Sequence, residues 1–307
     1  MSDYDNSLVV TGASGFIGRH VMAAAGARAL PVSLRYESCV AERIDDALRG
    51  RQIKAIIHLG GRAHRSDASD PEALTVYRND TCDLSVALAE AALERGVRRF
   101  VFVSSIGVHG QSSGAQPFQN SDKLKPETTY AVAKLEAERA LANLSERGLE
   151  LVVVRPPLVY GPGAPGNIER LLNLVARGLP LPLGAIRNKR SLVNVEDLAD
   201  LLITATDHRQ ARGQVLLPAD QTAISTPNLV RAMADALEKP AHLLPVPVSL
   251  LRLAGRLTHQ VRTVSQLVDS LEIDPRSTME LLGWSPRRGL RHGLSAMVSE
   301  RRKNASA

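Results

Sequence analysis

The chain has 307 residues, with 38 Lys and Arg against 32 Asp and Glu for a formal charge of +6. Its 44% hydrophobic and 23% charged residues are ordinary globular values, which excludes a disordered, collagen-like or coiled-coil chain, and the length is enough for a large core that needs neither disulfides nor a metal. Cys39 and Cys82 form no metal-binding spacing, the polar N-terminus Met1–Ser7 is not a secretory signal, and no apolar run approaches the roughly 20 residues of a bilayer span, so a soluble cytoplasmic protein without membrane contact is expected.

In chain order, near-continuous apolar runs at Leu8–Val10, Ala55–Ile57, Phe100–Val103 and Leu151–Val154 suit strands buried on both faces. Helical patterns lie between them, at Gly15–Ala25, Asp83–Glu94 and Tyr130–Leu144. Strand alternating with helix predicts an α/β fold, a Rossmann-type doubly wound parallel sheet. After residue 160 a Pro/Gly-rich stretch, Pro156–Gly166, leads into a helix over about 167–177. Short strands near 191–195 and 214–218 are expected to return to the sheet, and from 226 a mostly helical pattern runs to Leu282-Gly283-Trp284. The expected organisation is a nucleotide-binding domain over 1–165 with return segments near 191–220, and a smaller, mostly helical substrate domain from 166–190 and 221–307.

The net charge is concentrated at the end of the chain. Arg287, Arg288, Arg291, Arg301, Arg302 and Lys303 face one acid, Glu300. With one Trp, five Tyr and four Phe in the chain, there is no basic surface interleaved with stacking residues, and nucleic acid is not expected as a partner. The tail reads as a solvated, partly frayed segment or as a contact for a phosphate or acidic group. His58, His64 and His109 lack a third ligand at metal spacing, so no metal is expected.

Val9 to Gly18 runs from a strand, through Gly12, Gly15 and Gly18, into a helix. Gly12 permits the tight turn, Gly15 lets the backbone approach a pyrophosphate at the helix N-terminus, and Gly18 allows close packing. This pattern predicts NAD or NADP. Near the end of the second strand Arg35 stands where a 2′-phosphate would lie, which favours NADP; Glu37 follows, and Arg35 also reads as an outward-facing arginine. Further on, Tyr130 and Lys134 are four apart and share a helix face. A lysine there lowers the tyrosine pKa from about 10 towards neutrality, helped by an oxidised nicotinamide, and makes a general acid/base. Ser105 ends the Phe100–Ser104 strand, where ligands bind in open sheets, and its hydroxyl suits a substrate oxygen; Ser104 is its rival.

Together the glycine loop, the paired serines before Gly110 and the Tyr130/Lys134 pair resemble the extended short-chain dehydrogenase/reductase family, in its nucleotide-sugar epimerase/dehydratase branch. His58-Leu59-Gly60-Gly61 resembles the family's strand-end HLAA, with glycine replacing both alanines. Asn79 resembles the asparagine opening the next helix. Arg155-Pro156-Pro157-Leu158-Val159-Tyr160-Gly161-Pro162, Arg190 to Leu198 and Leu282-Gly283-Trp284-Ser285-Pro286 resemble later family motifs. Counting back from Gly110, the resemblance puts the catalytic serine at Ser105. It implies a cofactor held by Gly12, Ser14, Gly15, Phe16, Ile17 and Gly18, with Arg35 at the ribose. Leu59, Gly60, Gly61, Asn79, Ser104, Tyr130, Lys134 and Pro157 complete that cofactor site. Substrate contacts are implied at Ser105, Asn167, Arg190 and Arg262, and a homodimer through helices near 81–95 and 129–147.

Within the resembled family, a 4,6-dehydratase needs an Asp-Glu pair directly after the catalytic Ser/Thr, and here Ile106-Gly107 follows Ser105. The resemblance therefore implies oxidoreduction at C4 of a nucleotide sugar, by a reductase or an epimerase, since the same residues serve both reactions. The Arg155–Leu183 stretch resembles a branch handling UDP-N-acetylhexosamines, and Arg35 favours a 4-keto(-6-deoxy) sugar reductase. The alternative is a UDP-sugar C4 epimerase, and a more distant one is a nucleotide-sensing protein without turnover.

Overall fold

Six parallel strands form the central sheet of the computed structural model, which describes residues 7–34, 40–61 and 71–305. The chain runs β1 (Leu8–Thr11), α1 (Phe16–Ala25), β2 (Ala29–Val32), α2 (Val40–Leu48), β3 (Ala55–His58) and α3 (Pro71–Tyr77). A π-helical stretch, Arg78–Asp83, leads into α4 (Leu84–Glu94), followed by β4 (Arg99–Val103), α5 (Thr129–Asn143), β5 (Glu150–Val154), β6 (Leu158–Tyr160) and α6 (Asn167–Ala176). Then come β7 (Leu192–Asn194), α7 (Val195–Asp207), β8 (Val215–Leu216), α8 (Thr226–Ala236), α9 (Val248–Leu257), α10 (Val261–Val268), α11 (Arg276–Leu282) and α12 (Leu290–Ala305).

The sheet order is β2-β1-β3-β4-β5-β8. The chain leaves β1 towards β2 on one side and comes back to β3 on the other, so the order reverses at β1 and β3. Their C-terminal ends flank the crevice where open α/β sheets bind ligands. Both sheet faces are covered, which is why the strands read as unbroken apolar runs. Val9, Ile56, Phe100, Phe102 and Val153 pack with Ile44, Leu88 and Leu141 of α2, α4 and α5. Leu8, Val10, Ile57, Val101 and Val152 pack with Val21, Leu198 and Leu202 of α1 and α7.

Two expectations are corrected. The segment near 191–195 does not return to the main sheet: β7 pairs in parallel with β6 as a separate two-stranded sheet. The open flank of β5 is taken by β8. Asp220, just beyond β8, fixes the small sheet by accepting from Tyr160 Oη at 2.7 Å and Asn194 N at 3.2 Å.

The basic C-terminus, in turn, is a packed helix. On α12, Leu294, Met297 and Val298 enter a third core with Ile168, Leu172, Val230 and Met233. At Gly293 a Cβ would come within 2.5 Å of the Tyr160 ring, so the helix lies close against β6. Ahead of it, Arg288 donates to Asp197 and Asp200 at 3.0 and 2.8 Å and pairs with Glu196 at 2.5 Å. Part of the positive charge is therefore met inside the fold. Truncating Leu294 to alanine is expected to lower unfolding free energy by about 2–5 kcal/mol in urea denaturation. A loss no greater than the roughly 0.5 kcal/mol of a surface change would mean that α12 is a detached tail.

Candidate active site

The glycine loop follows β1 at the switch point. Gly12 has φ +70° and packs against Leu59, at the end of neighbouring β3. Gly15 N donates to Gly12 O at 3.0 Å, closing the turn. A Cβ at Gly18 would lie 2.1 Å from Gly12 O, so only glycine lets α1 start this close to the loop. Gly15 caps α1 without a side-chain hydrogen bond, and the first turn carries no acid. The positive end of the helix is thus uncompensated, and Gly12, Ser14 and Gly15 beside it are exposed. Phe16 and Ile17 begin the helix and are partly buried against the cores. Arg35 lies outside the described residues, as do Glu37, Cys39 and His64.

Lys134 joins three elements. Its Nζ donates to Gly60 O beyond β3 and to Val103 O at the end of β4, each at 2.9 Å. It stands 4.7 Å above the Phe102 ring and 5.9 Å from the centre of the Tyr130 ring. The glycines noted in the HLGG segment have steric reasons. A Cβ at Gly60 would come 2.3 Å from the His58 imidazole, and Gly61 (φ +121°) has Lys134 Nζ and Thr81 Oγ1 at 3.1 Å from its Cβ position. Burial pushes the Lys134 ammonium down to about 7, against the opposing pull of Glu138.

Tyr130 lies one turn before Lys134 on α5, whose N-terminus is capped by Thr128 Oγ1 accepting from Ala131 N at 3.1 Å. Its ring meets Tyr77 edge-on at 5.9 Å. Burial, with a smaller contribution from Tyr77, pushes the Tyr130 hydroxyl up to about 12. The expected lowering is therefore absent from the protein alone. Lys134 gives two of its hydrogen bonds to carbonyls and sits beside the ring of Tyr130, 5.9 Å from its centre, and burial decides the direction of the shift.

Ser105 begins the 3₁₀ turn Ile106–Val108 and is partly exposed. Its Oγ accepts from Gly107 N at 3.1 Å. Ser104, by contrast, is buried, and its Oγ has no partner. Thr81 Oγ1, beside Gly61, is similarly buried and without a hydrogen-bond partner. The uncapped helix start, the open glycine loop and these two orphan hydroxyls, one after β4 and one beside Gly61, fit a dinucleotide. Asn79 is partly buried in the π-helical stretch, and Pro157 is buried between β5 and β6. Ile106 N donates to Pro156 O at 3.0 Å, tying that motif to the serine turn.

On the substrate side, two predicted residues converge near α10. Asn167 starts α6 and donates through Nδ2 to Gln266 Oε1 at 2.8 Å. Arg190 donates through Nη1 to Asp269 O at 3.1 Å, and burial holds its guanidinium below the usual range. Arg262 is exposed on α10, one turn before Gln266. Among the described residues, no cluster of three or more His, Cys, Asp or Glu could hold a metal.

Two buried networks escaped sequence reasoning. His58 is fully buried, with Nδ1 2.6 Å from Thr11 Oγ1 and Nε2 3.0 Å from Ser85 Oγ. Below α5, Glu138 accepts a bidentate pair from Arg155, at 3.0 and 2.6 Å. Arg155 Nη1 also lies 2.9 Å from His109 Nε2. The readable sign was spacing: Tyr130, Lys134 and Glu138 follow at i, i+4 and i+8 on one helix face.

Burial, then the Lys134 charge, holds His58 down to about 3 from 6.5. The unfolded chain thus binds more protons below pH 6.5, and stability falls on acidification by up to about 1.4 kcal/mol per pH unit from this residue. In His58→Asn the slope of unfolding free energy against pH below 6.5 is expected to be shallower by about that amount. An unchanged slope would mean His58 is protonated in the fold.

The model of the NAD dependent epimerase/dehydratase family matches residues 8–216. A UDP-glucose 4-epimerase of Vibrio cholerae is 37% identical over 309 residues, covering 94% of this chain and 93% of its own. A GDP-6-deoxy-D-mannose reductase of Pseudomonas aeruginosa is 27% identical, covering 95% of this chain and 96% of its own. Among solved structures, the Thermotoga maritima UDP-glucose 4-epimerase with UDP-glucose superposes with a TM-score of 0.76 at 22% identity, over 97% of this chain and 99% of that one. With the glycine loop at the switch point and Lys134 fixed between two strand ends, the chain belongs to the NAD dependent epimerase/dehydratase family.

Proposed function

We propose that this chain is an NAD(P)-dependent enzyme acting at C4 of a UDP-linked hexose or N-acetylhexosamine, and that the reaction is C4 epimerisation. The carrying observation is Tyr130 and Lys134 on one face of α5, with Lys134 held to the ends of β3 and β4 beside the glycine loop. The choice of epimerase over the 4-keto reductase favoured by sequence rests on the 37% identity to the Vibrio cholerae UDP-glucose 4-epimerase across nearly the whole chain.

In this reading Gly12, Ser14, Gly15, Phe16, Ile17 and Gly18 hold the cofactor's diphosphate at the start of α1. Leu59, Gly60, Gly61, Asn79, Ser104 and Pro157 line the rest of its path. A bound nicotinamide supplies the capacity to take hydride from C4 and return it. Ser105 Oγ holds the sugar O4, and Tyr130 Oη removes its proton and later restores it. The Lys134 ammonium stabilises the tyrosinate and orients the cofactor ribose. Asn167, Arg190 and Arg262 hold the substrate diphosphate, leaving the sugar free to present its other face. Helix α4 and helix α5 carry the pairing surface for a second subunit; Glu90 of α4 pairs with Arg147 just beyond α5 at 2.7 Å, and Glu136 of α5 pairs with Arg78 just before α4 at 2.6 Å.

The reductase is the second reading, favoured by Arg35 as a 2′-phosphate partner. The two separate on cofactor exchange. For an epimerase, denatured protein releases near-stoichiometric NAD, and UDP-glucose and UDP-galactose, or their N-acetylated counterparts, interconvert without added cofactor. Tyr130→Phe is expected to lower kcat by about 10²–10⁴. Release of no nucleotide, with NADPH-dependent reduction of a 4-keto-6-deoxy sugar, would overturn the epimerase in favour of the reductase.

A further inference from the structure

Most of the large apolar side chains left exposed among the described residues lie on or beside one helical hairpin, α9–α10. Leu250, Leu253 and Leu257 fall at i, i+3 and i+7 on one face of α9 and are 54%, 51% and 74% exposed, and Val261 at the start of α10 is 52% exposed. On the opposite face of α9, Leu251 is partly buried against the third core, and at the buried Gly255 a Cβ would come 2.7 Å from Val264 Cγ2, so α9 and α10 are in close contact.

The charge of this region has one sign. No Asp or Glu occurs from Lys239 to Val268, while Arg252, Arg256 and Arg262 all lie within the hairpin. Arg252 pairs with Asp269 at 2.6 Å; Arg256 and Arg262 are exposed. Leucines on one face beside arginines, without an acid, are the pattern of a helix that lies in the interface of an anionic bilayer. A second copy of the chain fits less well, because a two-fold contact would set this arginine-bearing surface against itself.

We propose that the α9–α10 hairpin docks on anionic phospholipid membrane, with Leu250, Leu253, Leu257 and Val261 entering the acyl boundary and Arg256 meeting head-group phosphates. The expectation of no membrane contact rested on the lack of a spanning run. No helix of the described residues is long and apolar enough to cross a bilayer, but an interfacial helix does not need to be. The eight residues of α10 span about 12 Å, and Gln266 and Asp269 at its far end hold Asn167 and Arg190. Docking therefore brings the substrate side of the molecule close to the lipid surface, whichever C4 reaction the enzyme performs.

The test is flotation of the full chain with vesicles of phosphatidylcholine alone and of phosphatidylcholine with about 30% phosphatidylglycerol. Binding is expected with the anionic vesicles and weak with the neutral ones. It is expected to fall about tenfold in Leu253→Asp/Leu257→Asp and severalfold in both Leu257→Ser and Arg256→Glu. Circular dichroism and turnover in solution are expected to stay unchanged in the leucine variants. Absence of flotation with anionic vesicles would overturn the proposal. So would binding that salt abolishes but the leucine variants leave intact, since that is adsorption by net charge. Dissociation of an oligomer by Leu253→Asp/Leu257→Asp would also overturn it, assigning the face to a second copy.

Discussion

A buried ammonium group holds the centre of this molecule together. Lys134 Nζ donates to Gly60 O and Val103 O, so α5 is tied to the ends of two adjacent strands. Burying a charge without partners is costly, and here two carbonyls and the Phe102 ring receive it. Those acceptors are in reach only because Gly60 and Gly61 carry no Cβ, the first of which would strike His58 and the second crowd Nζ. His58 is in turn fixed between Thr11 and Ser85. The glycine loop, the β3 turn and the tyrosine-bearing helix are therefore parts of one arrangement.

The same logic of buried polar partners extends to the C-terminal half. Asp197 is buried and receives Arg288 together with the backbone N–H groups of Arg287 and Arg288, which sets the entry to α12. That helix then closes the core over β6 and β7. Asn188 Nδ2 donates to Thr226 Oγ1 and to the Leu267 and Asp269 carbonyls at 3.0 to 3.1 Å. It ties the segment before Arg190 to the end of α10. The hairpin that exposes its leucines is thus anchored through the end of α10.

How much of this was legible depended on whether the signal was local. Unbroken runs such as Phe100–Val103 announce strands buried on both faces, and Gly12, Gly15 and Gly18 announce the turn into α1. Tyr130 and Lys134 needed only helical spacing. The pairing of β7 with β6 was hidden because three-residue strands carry no periodicity, and their partners are set by Asp220 from elsewhere in the chain. At the C-terminus six cations read as a solvated segment, while the packed face is carried by Leu294, Met297 and Val298 at i, i+3 and i+4. The partners of Asn167 and Arg190, Gln266 and Asp269, are about 80 to 100 residues away in sequence, beyond any local rule. Spacing also put Lys134 beside Tyr130 but was silent on desolvation, which decides the sign of the tyrosine shift in the protein alone.

In the proposed reaction the labour is divided: the protein fixes Lys134 and keeps Tyr130 protonated, up to about 12, and the charge of an oxidised nicotinamide is what would bring it down. Titration of Tyr130 by ultraviolet difference spectroscopy, wild type minus Tyr130→Phe, with and without NAD, tests this directly. The Tyr130 hydroxyl is expected to titrate near 12 in the cofactor-free protein and to fall by several units, towards neutrality, when NAD is bound. An unchanged value on loading, or a low value without cofactor, would contradict it.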